Sequence, residues 1–167
     1  MSRRFKRRRG GGVRVSLSEP EIELLRTIPG ELGGVLSAPP DPDDPVRTRL
    51  FPRAYLDPTD EDSEREWQEL VHPELVRERL AALELLTASL DRAKHAKDSA
   101  SVDLTPEETE AWLGVLNDAR LALGTRLGVS EEPDVEMVEE DSPEAAGHAV
   151  YQWLTWVQGE LVDALLG

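Results

Sequence analysis

Hydrophobic residues recur along most of this chain at the three- and four-residue spacing of amphipathic helices. The clearest example runs from Thr105 to Gly128. Thr105 and Glu108 form a capping box around a proline at the first helical position, and Gly128 stands where a left-handed glycine would end the helix. The apolar stripe of this predicted helix comprises Ala111 or Trp112, Leu116, Leu123 and Leu127.

Arg120 falls on that stripe, between Leu116 and Leu123. A guanidinium that faces a core requires a carboxylate and further acceptors, because otherwise its desolvation is not offset. We therefore expect a partner from another helix, such as Glu84 or Glu23, rather than Asp118 on the same helix. The alternative is that Arg120 extends along the stripe to reach solvent.

Four further helices are predicted from the same periodicity and from their start signals. The first begins at Ser18, which forms a capping box with Glu21, and its stripe continues to Leu36. A short helix occupies 60–71, a longer one runs from Pro73 to near Lys97, and the last begins at Pro143. The broad apolar face of the last helix also suggests a homodimer; it comprises Tyr151, Trp153, Leu154, Trp156, Val157 and Leu161.

The N-terminal residues alternate between apolar and polar, which indicates a β-hairpin or a single strand, the alternative being a frayed terminus. The forms V-x-L-S-x-x-E at 15–21 and V-x-L-T-x-x-E at 102–108 resemble each other, so the two extended segments could pair, although chance could also produce the similarity. Six prolines in residues 37–59 indicate an irregular connector, and acidic residues dominate 129–142.

Together these patterns predict a mostly α, single-domain bundle of five or six helices with a small N-terminal β element. Residues 1–12 form a basic flexible arm or hairpin strand. Residues 13–166 form one helical domain, which contains the proline-rich connector at 37–59 and the acidic loop at 129–142. The whole chain has 167 residues, which are sufficient for a substantial core.

Charge is distributed unevenly along the chain. Seven basic residues precede the first acid, Glu19, whereas residues 19–167 carry a net charge of −22. The acidic body should repel nucleic acid over most of its surface. No cysteine is present, which excludes disulfides, thiolate metal sites and thiol-based redox sensing. Because we find no signal peptide and no long apolar run, we expect a cytoplasmic protein.

The sequence contains little that predicts catalysis. His72, His95 and His148 lack the spacing of a metal pair, and the common nucleotide-binding and hydrolase motifs are absent. Asp134, Glu136 and Glu139 could hold a hard cation, but they do not follow the EF-hand pattern. We therefore predict no enzyme activity, no cofactor and no metal.

The segment WLGVLNDARLALGTRLG at 112–128, with LFPRAY at 50–55 upstream, resembles an actinobacterial family of unknown function. This family includes oxidative-stress transcriptional regulators of the AosR type, and the likeness covers nearly the whole chain. It implies a helical cytoplasmic regulator that acts through a protein partner, which for the described regulators is part of the transcription machinery, an RNA polymerase sigma factor. The redox mechanism of the family depends on a cysteine pair, which this chain lacks.

We therefore expect a non-enzymatic regulatory or adaptor protein. The alternative is a nucleic-acid-associated regulator that uses its basic arm, formed by Arg3, Arg4, Lys6, Arg7, Arg8 and Arg9. The candidate fold-defining or partner-binding residues are Trp112, Asn117, Asp118, Arg120, Arg126, Phe51 and Tyr55.

Overall fold

The computed structural model describes residues 3–129 and 142–167. Within these ranges the chain forms four strands and six helices. In chain order these are β1 (Phe5–Arg7), β2 (Val13–Ser18), α1 (Glu19–Ser37), α2 (Pro45–Leu50), α3 (Glu61–Leu70), α4 (His72–Asp91), β3 (Lys94–His95), β4 (Ser99–Leu104), α5 (Pro106–Leu127) and α6 (Pro143–Leu166). The predicted mostly α fold with a small N-terminal β element is confirmed. The interior of the predicted acidic loop, 130–141, lies outside the described residues.

The strands form one antiparallel sheet in the order β1-β2-β4-β3. Val15 pairs with Val102, so the two similar segments noted in the sequence are direct neighbours. The turn between β1 and β2 requires glycine at position 12. There φ is +78°, and a Cβ would lie 2.0 Å from the carbonyl oxygen of Leu104.

Helix α5 is central and packs against α2, α4 and α6. Both predicted capping boxes are formed, by Ser18 with Glu21 and by Thr105 with Glu108, and Gly128 ends α5 in the left-handed conformation. The core therefore lies between α5, its neighbouring helices and the inner face of the sheet, and its fully buried side chains include Trp112, Leu86, Leu90, Leu104, Leu116 and Leu161.

Two features differ from the predictions, the end of one helix and the presence of another. The helix expected to end near Lys97 ends at Asp91, because Lys94 and His95 pair with β4 instead. The connector contains a short helix, α2, which begins at a proline and is capped by the side chain of Asp44. Proline at a helix start costs no backbone hydrogen bond, whereas Pro29 in the interior of α1 removes one, and α1 nevertheless continues through it to Ser37.

No helix in the described part of the chain is long and apolar enough to cross a membrane.

Candidate functional site

A group of polar and aromatic side chains from the connector, α4 and α5 lies together on one side of the molecule. The connector leaves α1, forms α2 and passes Phe51 before reaching α3. We call the group formed by Arg47, Phe51, His72, Arg79 and Asp118 the connector site. Its residues come from α2, from α4, from α5 and from the chain immediately after α2.

Arg47 is the most deeply buried arginine of this group, with 5% of its surface exposed. Its Nη1 atom donates to the carbonyl oxygens of Val35 at 2.6 Å and Ala38 at 2.9 Å. The carbonyl groups at a helix C-terminus have no partner within the helix, so a cation there satisfies them and interacts favourably with the helix dipole. Arg47 therefore anchors α2 to the end of α1.

His72 lies against the same guanidinium. Nη2 of Arg47 is 3.2 Å from Nε2 of His72, and because arginine can only donate, this nitrogen accepts. The neutral imidazole then carries its proton on Nδ1, which is buried without a hydrogen-bond partner among the described residues. Burial, followed by the positive charges of Arg47 and Arg79, lowers the pKa of His72.

Phe51 forms the apolar centre of the connector site. Its ring packs against that of His72 in an edge-to-face arrangement, with 4.6 Å between the centroids. The guanidinium of Arg79 lies 4.3 Å from the centroid of the Phe51 ring, within the range of a cation–π interaction. Arg79 also donates to the carbonyl oxygen of Leu50 at 2.7 Å, so α4 holds the end of α2 by both contacts.

Asp118 connects α5 to this group, because its Oδ2 atom is 3.7 Å from Nε of Arg79. Burial raises the pKa of Asp118, and the nearby charge of Arg79 offsets only part of this effect. The carboxylate is thus one that the fold leaves only loosely paired.

A second carboxylate fixes the backbone of the connector. Glu64 on α3 is buried and accepts from the backbone amides of Ala54 at 3.1 Å and Tyr55 at 3.0 Å. Burial alone would raise the pKa of Glu64, but these bonds, one from Gln68 and the charge of Arg53 outweigh it and lower the pKa. The side chain of Tyr55 itself remains 42% exposed.

The other candidates on α5 lie elsewhere. Trp112 is completely buried, and its Nε1 atom donates to the hydroxyl of Ser89 at 2.8 Å, which joins α5 to α4. Asn117 accepts from Gln158 of α6 at 3.2 Å. Arg126 is exposed and lines, with Glu31, a largely apolar cavity of about 280 Å³ between α1, α5 and α6. Only Asp118, of the α5 candidates, belongs to the connector site.

The expectation for Arg120 is wrong for the described residues. Arg120 is half-buried, and its Nε atom is buried with no hydrogen-bond partner there, whereas Glu23 and Glu84 are both exposed. No ion pair joins Arg120 to a carboxylate in residues 3–129 or 142–167. The position of Arg120 on the apolar stripe therefore predicted that its side chain is partly buried, but it did not predict its partner.

Of the basic residues at the N-terminus, Lys6 and Arg7 lie in β1 and the others flank it. Arg4 bridges Glu21 of α1, at 2.7 Å, and Glu160 of α6, at 2.9 Å. Arg8 lies 3.6 Å from Asp103 of β4. Arg3, Lys6, Arg7 and Arg9 are exposed.

Sequence reasoning did not identify Arg47, Glu64, His72 or Arg79 as site residues. One signal was available, since Arg47, Arg49 and Arg53 flank the apolar segment around Phe51. Arginine beside an aromatic residue is compatible with a cation–π contact. Which arginine is buried depends on the path of the connector, which local periodicity does not predict.

The fold is that of a small, mostly helical protein. The polar residues of its candidate site mainly hold the connector in place. The chain belongs to the family described as Domain of unknown function (DUF2017), whose profile matches residues 2–165. The resemblance noted in the sequence is therefore confirmed.

The curated relatives include the oxidative stress regulator AosR of Mycobacterium tuberculosis and that of Mycobacterium bovis. Each is 32% identical to this chain, and the alignment covers 99% of this chain and 88% of the relative. A relative from Mycobacterium leprae is 30% identical, with 94% of this chain and 84% of the relative covered. No solved structure matches the chain.

Proposed function

We propose that this chain is a non-enzymatic regulatory protein that acts through a protein partner. Its similarity to proteins named oxidative stress regulators over 99% of its length supports the regulatory role. The polar groups at the connector site, and Glu64 beside it, are used in structural contacts, which supports a binding function rather than catalysis. Arg47, Glu64 and Arg79 each bond to backbone atoms of the connector or its neighbours, so these groups are engaged in holding the chain in place.

The observation that carries the proposal is a set of exposed apolar side chains in the connector and at the end of α3, near backbone that Glu64 holds. Tyr55 and Leu56, 42% and 86% exposed, follow the amides that Glu64 holds. Leu70 and Val71, 76% and 36% exposed, lie at the end of the helix that carries Glu64. We call these four residues the connector surface. Exposed apolar side chains whose backbone is already ordered lose little entropy on binding, which favours association with another protein.

The experiment is affinity capture from a lysate of the source organism, read by mass spectrometry. The test variant is Tyr55→Ser with Leu56→Ser. The matched control is Val129→Ser with Leu166→Ser, which removes two exposed apolar side chains elsewhere. We expect a stoichiometric partner, in the class of transcription machinery that the family resemblance implies, to be lost by the test variant and retained by the control.

Two results would contradict this proposal. Absence of any stoichiometric partner would contradict the mode of action. Equal capture by the test variant and the wild type would contradict the role of the connector surface.

The alternative function is nucleic-acid binding through the basic arm, and it is favoured by the exposure of Lys6, Arg7 and Arg9. Truncation is a poor test, because removal of residues 1–12 would also remove β1 and the buried Phe5. Substitution of Lys6, Arg7 and Arg9 by Glu preserves the core. Steeply salt-dependent DNA binding that this substitution abolishes would favour the alternative.

We also propose that the protein forms a homodimer through part of α6. Leu154, Val157 and Leu161 are buried within one chain, but Trp156 is 59% exposed. Sedimentation that shows a monomer at high micromolar concentration would contradict the dimer.

A further inference from the structure

The sheet has two chemically different faces. In the paired rows, Val13 lies opposite Leu104, Val15 opposite Val102 and Leu17 opposite Ala100. All six of these side chains are buried against the helices. Because successive residues of a strand point to opposite faces, the residues between them form the other face. We call it the outer face; its residues are Lys6, Arg14 and Asp103 in one row and Ser16, Ser101 and Lys94 in the next.

Positive charge dominates the outer face. Lys6, Arg14 and Lys94 are exposed, and Arg8 approaches the same row from the turn. The only carboxylate in these two rows is Asp103, which receives two bonds from Arg14, at 2.7 and 3.1 Å. The arginine and lysine charges around Asp103 lower the pKa of its carboxyl group, with the Arg14 bond as the largest cause. The face is therefore cationic on a chain whose net charge is −15.

The shape of the outer face suits an extended chain. Ser16 and Ser101 are small, so the row that ends at Lys94 is shallow. Neighbouring strands are about 4.8 Å apart, and alternate residues along a strand are separated by roughly 7 Å. Lys6 and Arg14 are therefore about 4.8 Å apart on neighbouring strands, and Lys94 lies in the next row, two strands beyond Arg14, so an extended peptide that crosses the face obliquely passes all three cations.

Nucleic acid fits this face less well. Its two rows contain no aromatic side chain on which a base could stack. A duplex is also larger than the face, so its phosphates would approach the acidic body. A short acidic peptide can remain within the area of the cations.

We propose that the outer face of the sheet binds an acidic, extended segment of another protein, with Lys6, Arg14 and Lys94 as the residues that recognise its carboxylates. This rests on the proposed function, since it assigns a second contact to a protein that acts through a protein partner. It is independent of the connector surface, which lies on other elements.

The test measures fluorescence anisotropy of a labelled deca-glutamate peptide with the full-length protein at low and physiological salt. A protein with net charge −15 repels this peptide at long range, so binding requires a local cationic surface. The test variant is Lys6→Glu with Lys94→Glu. The control is Arg65→Glu with Arg77→Glu, which changes the net charge equally at exposed positions of α3 and α4.

We expect the wild type and the control to bind within about twofold of each other, and the test variant to bind at least tenfold more weakly. Salt should weaken the binding of the wild type. Circular dichroism of both variants checks that the fold is retained, and Lys6→Gln with Lys94→Gln, which adds no repulsive charge, should give a smaller loss in the same direction.

Other outcomes overturn the inference. If the peptide does not bind to the wild type, or if test and control variants weaken it equally, the outer face is not an acidic-peptide site. If a labelled duplex or single strand of DNA binds more tightly than the peptide at the same salt, the face is a nucleic-acid site instead. If the test variant loses self-association, the outer face binds a second copy of this chain and not an acidic peptide of another protein. None of these results bears on the capture experiment with Tyr55 and Leu56, so the two proposals can fail separately.

Discussion

The N-terminal sheet and the connector site use charged residues in opposite ways. In the sheet, apolar residues point inward and arginines lie outside, as with Arg14, whose side chain is 60% exposed beside Asp103. At the connector site, Arg47 is buried and bonds to backbone carbonyl groups. An exposed ion pair contributes little to stability, whereas a buried donor cannot be removed without leaving its acceptors unsatisfied. The sheet is thus stabilised by its apolar face and the connector by its polar interior.

The largest expected effect comes from Arg47→Ala. The substitution leaves the carbonyl groups of Val35 and Ala38 without this donor and opens a cavity beside Phe51. We expect the free energy of unfolding to fall by about 3 kcal/mol. Urea denaturation measures it, and Arg14→Ala, an exposed arginine of the sheet, is the matched control. A loss below about 1 kcal/mol for Arg47→Ala would remove the distinction between the two regions.

The next effect separates two carboxylates near the connector. Glu64 accepts the amides of Ala54 and Tyr55 at Oε2 and the side chain of Gln68 at Oε1, so Glu64→Gln, which weakens the first two bonds and removes the third acceptor, should lower the free energy of unfolding by about 2 kcal/mol at pH 7. Asp118 has a raised pKa, which means that the fold disfavours its charge. Asp118→Asn should therefore cause no loss, or a small gain, at pH 7. Equal losses in thermal or urea unfolding would show that both carboxylates serve the same structural role.

The long helices and the two main strands of the sheet could be predicted because their information is local, whereas β3 fell within a predicted helix. The capping boxes at Ser18 and Thr105 and the alternation of Val102 and Leu104 are each contained in a few consecutive residues. Such patterns reflect backbone hydrogen bonding and the burial of one face, and both are repeated along the element.

The connector site could not be predicted in the same way. Arg47 and Arg49 are two residues apart in the same short helix, and composition does not tell which one is buried. The carbonyl groups that accept from Arg47, those of Val35 and Ala38, are brought to it by the turn between α1 and α2. The prediction of a carboxylate partner for Arg120 was wrong for the same reason. The position of Arg120 on α5 indicates where its side chain points, but not which groups other elements place there.

The smallest expected effect concerns His72 and pH. The groups that face its ring are Arg47 and Arg79, with Phe51 at its edge, so protonation would place a third positive charge among them. The pKa of His72 is lowered in the folded state, first by burial and then by these charges. Above about pH 6.5, the ordinary histidine value, His72 is neutral in both states. As the pH falls below that value, the unfolded chain takes up the proton first, so the contribution of His72 to stability decreases.

The comparison protein is His72→Gln, whose side-chain oxygen can still accept from Arg47. We expect the wild type to lose its advantage in free energy of unfolding over this variant as the pH is lowered from 7.5 to 5.5. The contribution of Asp118 to stability changes with pH in the opposite direction, because its raised pKa makes the folded state take up a proton first. Asp118 is present in both proteins, so its contribution cancels in the difference between them. A difference that stays constant over this range would mean that the connector site accommodates a protonated His72, and that Arg47 and Arg79 do not restrict its charge.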